Sequence, residues 1–260
     1  MKICFVEGKV GIIEGYQIRF LKGFQSVEEF IQNPPDRLSF SGDTISLSGA
    51  KFDAPIRNPS KIIGIGFNYT SHIAEMDVET PSEPFCWLKP PSSIIGPNQA
   101  VKIPKMSNRV DYETELAVII GKTAKDVNES EALSKVFGYT IILDMTARDF
   151  VETDRALFKV KGFDTFGPLG PYIVTTDEIS DPHSLDIKLW HNGELKQSDN
   201  TRSMVFKIPK LISFITKIVT LYPGDIIATG TPAGIDTVKS GDRLVAQIDG
   251  IGILEVSIED

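Results

Sequence analysis

Three carboxylates and one imidazole–carboxylate pair stand out in this chain of 260 residues, because an ordinary core has no use for them. In DYETELAVII, residues 111–120, an extended strand puts Glu113, Glu115, Ala117 and Ile119 on one face. Thr114, Leu116, Val118 and Ile120 point the other way, and the run is apolar beyond Leu116, so neither face reads as solvated. Two like charges on one buried face repel, and burying them is expensive unless a cation lies between them. Oxygen-only ligation favours a hard divalent ion, magnesium, manganese or calcium, over zinc. Asp144 closes a second apolar strand, GYTIILD. A neighbouring position of the two strands brings it to the glutamates, leaving roughly three positions of an octahedral magnesium site for water and a chelating substrate. Asp111 and Asp149 are substitutes, each less well placed, and the plain alternative is a strand end with two solvated glutamates.

The second cluster is GFNYTSHIAEM, residues 66–76. If Thr70 to Met76 form a turn of helix, His72 and Glu75 are three apart and share a face. A carboxylate that orients an imidazole is a recurring general-base pair, although a surface histidine with a helical salt partner has the same spacing. KVKGFDTFGPLGP, residues 159–171, suits a shaped wall in which Lys161 meets an anionic or enolate oxygen. In ATGTPAG, residues 228–234, backbone N–H groups around Gly230 and the Thr231 hydroxyl suit a carboxylate. His183 and His191 sit in turn-like surroundings and receive no role.

Short β-branched strands punctuated by Gly, Pro or Asp must position these groups. KIIGIG, FCWL, VKIP, ETELAVII, GYTIILD, GPYIV, LDIKLW, DIIAT, RLVAQI and ILEVSI read this way, with hairpin turns at Asn192-Gly193 and Asp249-Gly250. Helices are expected near Glu129–Phe137 and from Pro209 to Leu221, the latter with the apolar set Leu211, Ile212, Ile215 and Ile218. Residues 1–55 read as a small N-terminal α/β unit. In it, KICFVEG and GIIEGYQIRF form two strands, and Ser26 with Glu29 caps a helix stopped by Pro34-Pro35. Residues 56–260 form the larger unit. Few helices alternate with strands, so the expected class is mainly β with a few helices (α+β) rather than a doubly wound sheet.

Composition removes several functions. Lys and Arg total 27 against 35 acidic residues, for a net charge of -8, which disfavours nucleic acid as a partner. Cys4 and Cys86 lack metal-type spacing and point to a reducing, cytoplasmic setting. No apolar run nears the roughly 20 residues of a membrane span. Gly121-Lys122-Thr123 lacks the first glycine of a phosphate loop, and Gly64-Ile65-Gly66 is followed by Tyr69 where a dinucleotide loop needs its third.

Taken together, GFNYTSHIAEM, WLKPPSSIIGP at 87–97, VDYETELAVIIG, GYTIILDMTARD, KGFDTFGPLGP, NTRSMVF at 200–206 and PGDIIATGTPAG resemble the fumarylacetoacetate hydrolase family over residues 60–258. The resemblance implies a mixed β-sandwich roll, a homodimer, and magnesium or manganese held by Glu113, Glu115 and Asp144. It also implies a catalytic dyad of His72 and Glu75 on a lid segment, an active-site lysine at Lys161, and a substrate wall with Arg148 and Thr231. One departure stands out: many hydrolytic members carry glutamine three residues after that arginine, and Val151 here cannot supply its hydrogen bond.

The implied substrate is a small 2-oxo acid or dicarboxylate, and the implied chemistry runs through a metal-stabilised enolate. Hydrolysis of a C–C bond in an acylpyruvate-type 2,4-dioxo acid is the first expectation, with oxaloacetate decarboxylation at the same site. The alternatives are isomerase or decarboxylase action on 2-hydroxyhepta-2,4-diene-1,7-dioate-type diacids, oxaloacetate tautomerisation, and a non-catalytic binding protein on the same scaffold.

Overall fold

The most apolar runs of the chain lie side by side at the centre of one sheet. In a computed structural model describing all 260 residues, Thr114–Ile120 is buried at every position. It pairs antiparallel with Val136–Leu143 on one side and with Ile226–Ala228 on the other. Its two faces enter different cores: Leu116, Val118 and Ile120 pack with one apolar cluster, Ala117 and Ile119 with another. A strand covered on both faces has no reason to alternate apolar with polar residues.

Around this centre runs a 12-stranded sheet. Its main path passes from Phe40–Ser46 through Gln17–Leu21, Lys9–Glu14, Lys2–Val6, Gly167–Thr175 and Val136–Leu143 to the central strand. It continues through Ile226–Ala228 and Ile62–Gly66 to Phe85–Lys89. A five-stranded sheet orders Glu194–Asn200, Asp186–His191, Arg243–Ile248, Gly252–Glu259 and Ala100–Lys102. A short three-stranded one joins Thr146–Ala147, Val110–Asp111 and Thr237–Val238. Parallel pairs (Ile226–Ala228 with Ile62–Gly66, Gly252–Glu259 with Ala100–Lys102) sit among antiparallel ones, so the sheets are mixed. This is the expected mainly β roll. No helix is long and apolar enough to cross a membrane.

The N-terminal helix spans Val27–Gln32, and Ser26 Oγ accepts from the Glu29 N–H at 3.1 Å, as the capping signal predicts. GIIEGYQIRF is two strands rather than one, because Gly15 turns the chain at a φ of +59°. The first strand pairs Lys2 with Val174 and Ile3 with Ile173, so the strands of residues 1–55 continue the large sheet.

The expected helix over Glu129–Phe137 is shorter. It covers Glu129–Ala132, a 3-10 turn takes Leu133–Lys135, and Val136 already opens a strand. Phe137 stays in that strand with its ring against Phe30 at 6.2 Å, which outweighs local helix preference. The longest helix, Ile208–Ile218, buries Leu211, Ile212 and Ile215 but leaves Ile218 exposed. It ends before Leu221, whose N–H instead bonds the carbonyl of Ala124.

Gly64 lies opposite Trp87 in the Ile62–Gly66/Phe85–Lys89 pair, and a Cβ there would stand 2.4 Å from the indole. Gly64→Ala is therefore expected to displace Trp87 and to cost about 1–3 kcal/mol, read from the urea midpoint. An unchanged midpoint would show that the ring has room to yield.

Candidate active site

Strand register assembles the acidic cluster. Thr114 pairs with Leu143, so the residues just outside that pair, Glu113 and Asp144, become neighbours, and the Asp144 N–H donates to the Glu113 carbonyl at 2.8 Å. Glu115, one step into the strand, accepts on Oε2 from the Gly230 N–H at 2.7 Å. Gly230 has a φ of +94°, and a Cβ there would meet the Asn68 side chain at 2.9 Å, so glycine is required for the turn that delivers this N–H. The three buried carboxylates each offer an oxygen within 4.8 Å of the others.

Three cationic side chains surround the cluster unevenly. Lys161 Nζ stands 2.7 Å from Glu113 and 2.8 Å from Asp144. Lys89 Nζ is 2.9 Å from the other Asp144 oxygen. Arg148 bridges Glu113 at 2.6 Å and Asp111 at 3.0 Å. Arg109 and the Thr237 hydroxyl complete the Asp111 contacts, and Asp149 is held by Ser107 and Asn108, so neither aspartate joins the cluster. Glu115 is the member without a cation, and its Oε1 is buried with no hydrogen-bond partner.

The electrostatics follow from this imbalance. Burial, then the charges of Asp144 and Glu113, pushes the Glu115 carboxyl well above the usual range. Burial acts the same way on Glu113, but Lys161 and Arg148 outweigh it and hold that carboxyl low. Burial depresses Lys89 despite Asp144, whereas Asp144 and Glu113 overcome burial at Lys161 and raise it. An orphaned oxygen, three converging carboxylates and an all-oxygen donor set fit a hard divalent cation.

Lys89 is the residue that sequence reasoning passed over. It alternates with Trp87 along a strand before Pro90, and that spacing was the available signal. Lys89→Met removes one partner of a buried pair, with an expected loss of about 3 kcal/mol in the metal-free protein by urea unfolding. A neutral result would show that Lys161 alone balances Asp144.

A cavity of about 290 Å³ opens onto the cluster and is lined by Glu113, His72, Arg148, Lys161 and Thr231 among others. The short helix Thr70–Glu75 places His72 Nδ1 2.9 Å from Glu75 Oε2, while Glu75 Oε1 accepts from the Gly234 N–H at 2.7 Å. With Nδ1–H donated to Glu75, Nε2 is the basic nitrogen. Phe67 stacks on the imidazole at 6.0 Å and holds its plane. Ser71 ties the same helix to Asp199 at 2.6 Å. Thr231 Oγ1 accepts from Gln197 Nε2 at 2.8 Å, and Gln197 Oε1 takes the Thr114 N–H, locking the 228–234 turn to the central strand. Lys161 comes from the single-turn helix Phe158–Lys161, and Val151 also faces the cavity. His183 accepts the Ile208 N–H and His191 pairs with Asp242, both away from the cavity.

Comparison with known proteins places this geometry in a lineage. Residues 61–259 match the profile described as "Fumarylacetoacetate (FAA) hydrolase C-terminal". A protein of Pyrococcus abyssi is 50% identical over 204 residues, covering 77% of this chain and 90% of that relative. A mitochondrial oxaloacetate tautomerase of Xenopus laevis is 43% identical over 236 residues, covering 87% of this chain and 74% of its own length. Among solved structures, maleylpyruvate hydrolase from Sphingobium sp. SYK-6, in complex with manganese(II) and pyruvate, superimposes with a TM-score of 0.84 at 33% identity. That match covers 100% of this chain and 99% of the other. The chain belongs to the fumarylacetoacetate hydrolase family.

Proposed function

We propose that the protein is a divalent-metal-dependent enzyme that hydrolyses a C–C bond in a small acylpyruvate-type 2,4-dioxo acid. The carrying observation is that His72, paired with Glu75, and Glu113, one member of the Glu113/Glu115/Asp144 cluster, line one cavity. Glu113, Glu115 and Asp144 would hold magnesium or manganese, which supplies Lewis acidity toward the carboxylate and 2-oxo oxygens of the substrate. Glu75 fixes the imidazole so that Nε2 takes a proton from water, and the resulting hydroxide attacks the distal carbonyl. The bond between that carbonyl carbon and the methylene breaks, its electron pair leaves with the three-carbon fragment as an enolate, and a proton returned from His72 completes pyruvate. Lys161, fixed between Glu113 and Asp144 at the cavity wall, is the cation toward which oxyanion charge develops. Thr231 and the turn around Gly230 close the carboxylate end.

A second reading, keto–enol tautomerisation of oxaloacetate, is supported by the Xenopus relative and by Val151. That side chain gives the cavity an apolar wall where a hydrolase would profit from a hydrogen bond to water. In this reading His72 moves a proton between carbon and oxygen and no water attacks. Magnesium-loaded protein with acetylpyruvate, followed by NMR, separates the two. Equal acetate and pyruvate, lost on chelation, support hydrolysis. Accelerated ketonisation of oxaloacetate without acyl cleavage supports tautomerisation, and inactivity on both overturns the proposal.

A further inference from the structure

The cavity wall includes one cation that the chemistry above leaves unused. Arg148 is spent on Asp111 and Glu113, and Lys161 on Glu113 and Asp144. Arg155 also lines the cavity, and no carboxylate of the protein pairs with it. It stands where the cavity meets an adjoining groove that is otherwise apolar, lined by Phe85, Trp87, Leu157 and Phe158. Around it the wall is Val151, Leu157, Phe85 and Trp87. This end of the cavity therefore presents a lone guanidinium in an apolar frame.

The segment that delivers Arg155 is fastened. The Asp154 N–H donates to the Phe150 carbonyl at 2.8 Å, and the Asp154 carbonyl accepts from Leu157 at 3.0 Å. The Asp154 carboxylate takes the N–H groups of Ala156, at 3.2 Å, and of Lys159. Leu157 is held in the left-handed region at a φ of +57°, where a branched side chain is strained. With its neighbouring acid committed to backbone amides, Arg155 is left free to meet an anion from the cavity.

We infer that Arg155 is the specificity-determining residue that receives the terminal carboxylate of a diacid substrate at the distal end of the cavity. The inference rests on the reading of the cluster as a site for a 2-oxo acid head. A guanidinium fork matches a carboxylate with two parallel hydrogen bonds, which a neutral acyl tail cannot offer. A diacid then spans the cavity, its 2-oxo acid end at the carboxylate cluster and its far carboxylate at Arg155, with Val151 and Trp87 against the methylenes between.

Calorimetry on the magnesium-loaded protein with 2-oxohexanedioate and with 2-oxohexanoate, identical except for the terminal group, tests this without turnover. The diacid should bind about tenfold or more tightly, and Arg155→Met should erase that difference while leaving 2-oxohexanoate unchanged. Arg155→Lys should restore part of it. Equal binding of the two ligands by the parent protein, or equal weakening of both by Arg155→Met, overturns the inference. Hydrolysis of 2,4-dioxoheptanedioate against 2,4-dioxoheptanoate adds the kinetic arm, with the Arg155→Met defect expected in KM and only for the diacid. Absence of turnover with discrimination in binding intact would defeat the hydrolase reading and leave the role of Arg155 standing. Turnover without discrimination would do the reverse.

Discussion

Metal-free Glu115→Gln protein should melt at a higher temperature than the metal-free parent at neutral pH, yet gain nothing from added magnesium or manganese. Glu115 is buried beside two other carboxylates, and Lys161 and Arg148 serve Glu113 rather than Glu115. Its folded-state pKa lies above the unfolded value, so between those two values the folded chain holds a proton that the unfolded chain has lost. The stability of the metal-free parent therefore falls as pH rises from the ordinary carboxylate range through the raised value. A neutral amide removes that slope. Glu113, held low, acts oppositely: its contribution is present above the unfolded value and lost as pH falls toward the folded one. The parent at a metal concentration 100-fold above Kd should gain about 2.7 kcal/mol, and the variant should gain none. Activity should fall by about 10³-fold, the equivalent of losing roughly 4 kcal/mol of Lewis-acid stabilisation. Thermal melts across pH, with EDTA and with magnesium, read both effects. A variant that melts lower without metal, or keeps its metal-induced shift, would contradict the assignment of Glu115.

His72→Ala should leave metal binding intact and lower the hydrolytic kcat by about 10²–10⁴-fold, the range for a positioned general base. Metal binding survives because the imidazole pairs with Glu75 and stacks on Phe67, outside the carboxylate cluster. Glu75→Gln should cost less, since an amide still accepts from Nδ1–H but no longer stabilises the charged imidazolium. Parallel calorimetry with manganese and steady-state kinetics on an acylpyruvate check the pair. An unchanged kcat in His72→Ala would remove the histidine as the base, and a lost metal site would mean that it supports the cluster instead.

Much of the site was legible because carboxylates are conspicuous where a sequence is otherwise apolar. Glu113, Glu115 and Asp144 break runs of β-formers, and strand register then puts them together. The contact of His72 with Glu75 was readable from helical spacing, whereas the dyad role came only from the family resemblance. Other parts depend on contacts that no local pattern records. Glu194–Asn200, ELKQSDN, has almost no β-former, and pairing with Asp186–His191 makes it a strand. Its Gln197 looks like a surface residue and is fully buried, bonded to Thr114, Thr231 and Pro232. Lys89 shares a strand face with Trp87, but its partner Asp144 lies far along the chain, and only the fold brings the two together. Residues 1–55 carry their own hairpins and capped helix. Their junction with the large sheet rests on the pairing of Lys2 with Val174, which a sequence separation of that size conceals.

A divalent cation held by Glu113, Glu115 and Asp144 should be visible in anomalous diffraction from manganese-loaded crystals. One strong manganese peak is expected within about 2.0–2.3 Å of an oxygen from each of the three carboxylates, with open positions toward His72 and the cavity. A peak elsewhere, or none at saturating manganese with Lys161 still bridging Glu113 and Asp144, would rule these three carboxylates out as the metal site.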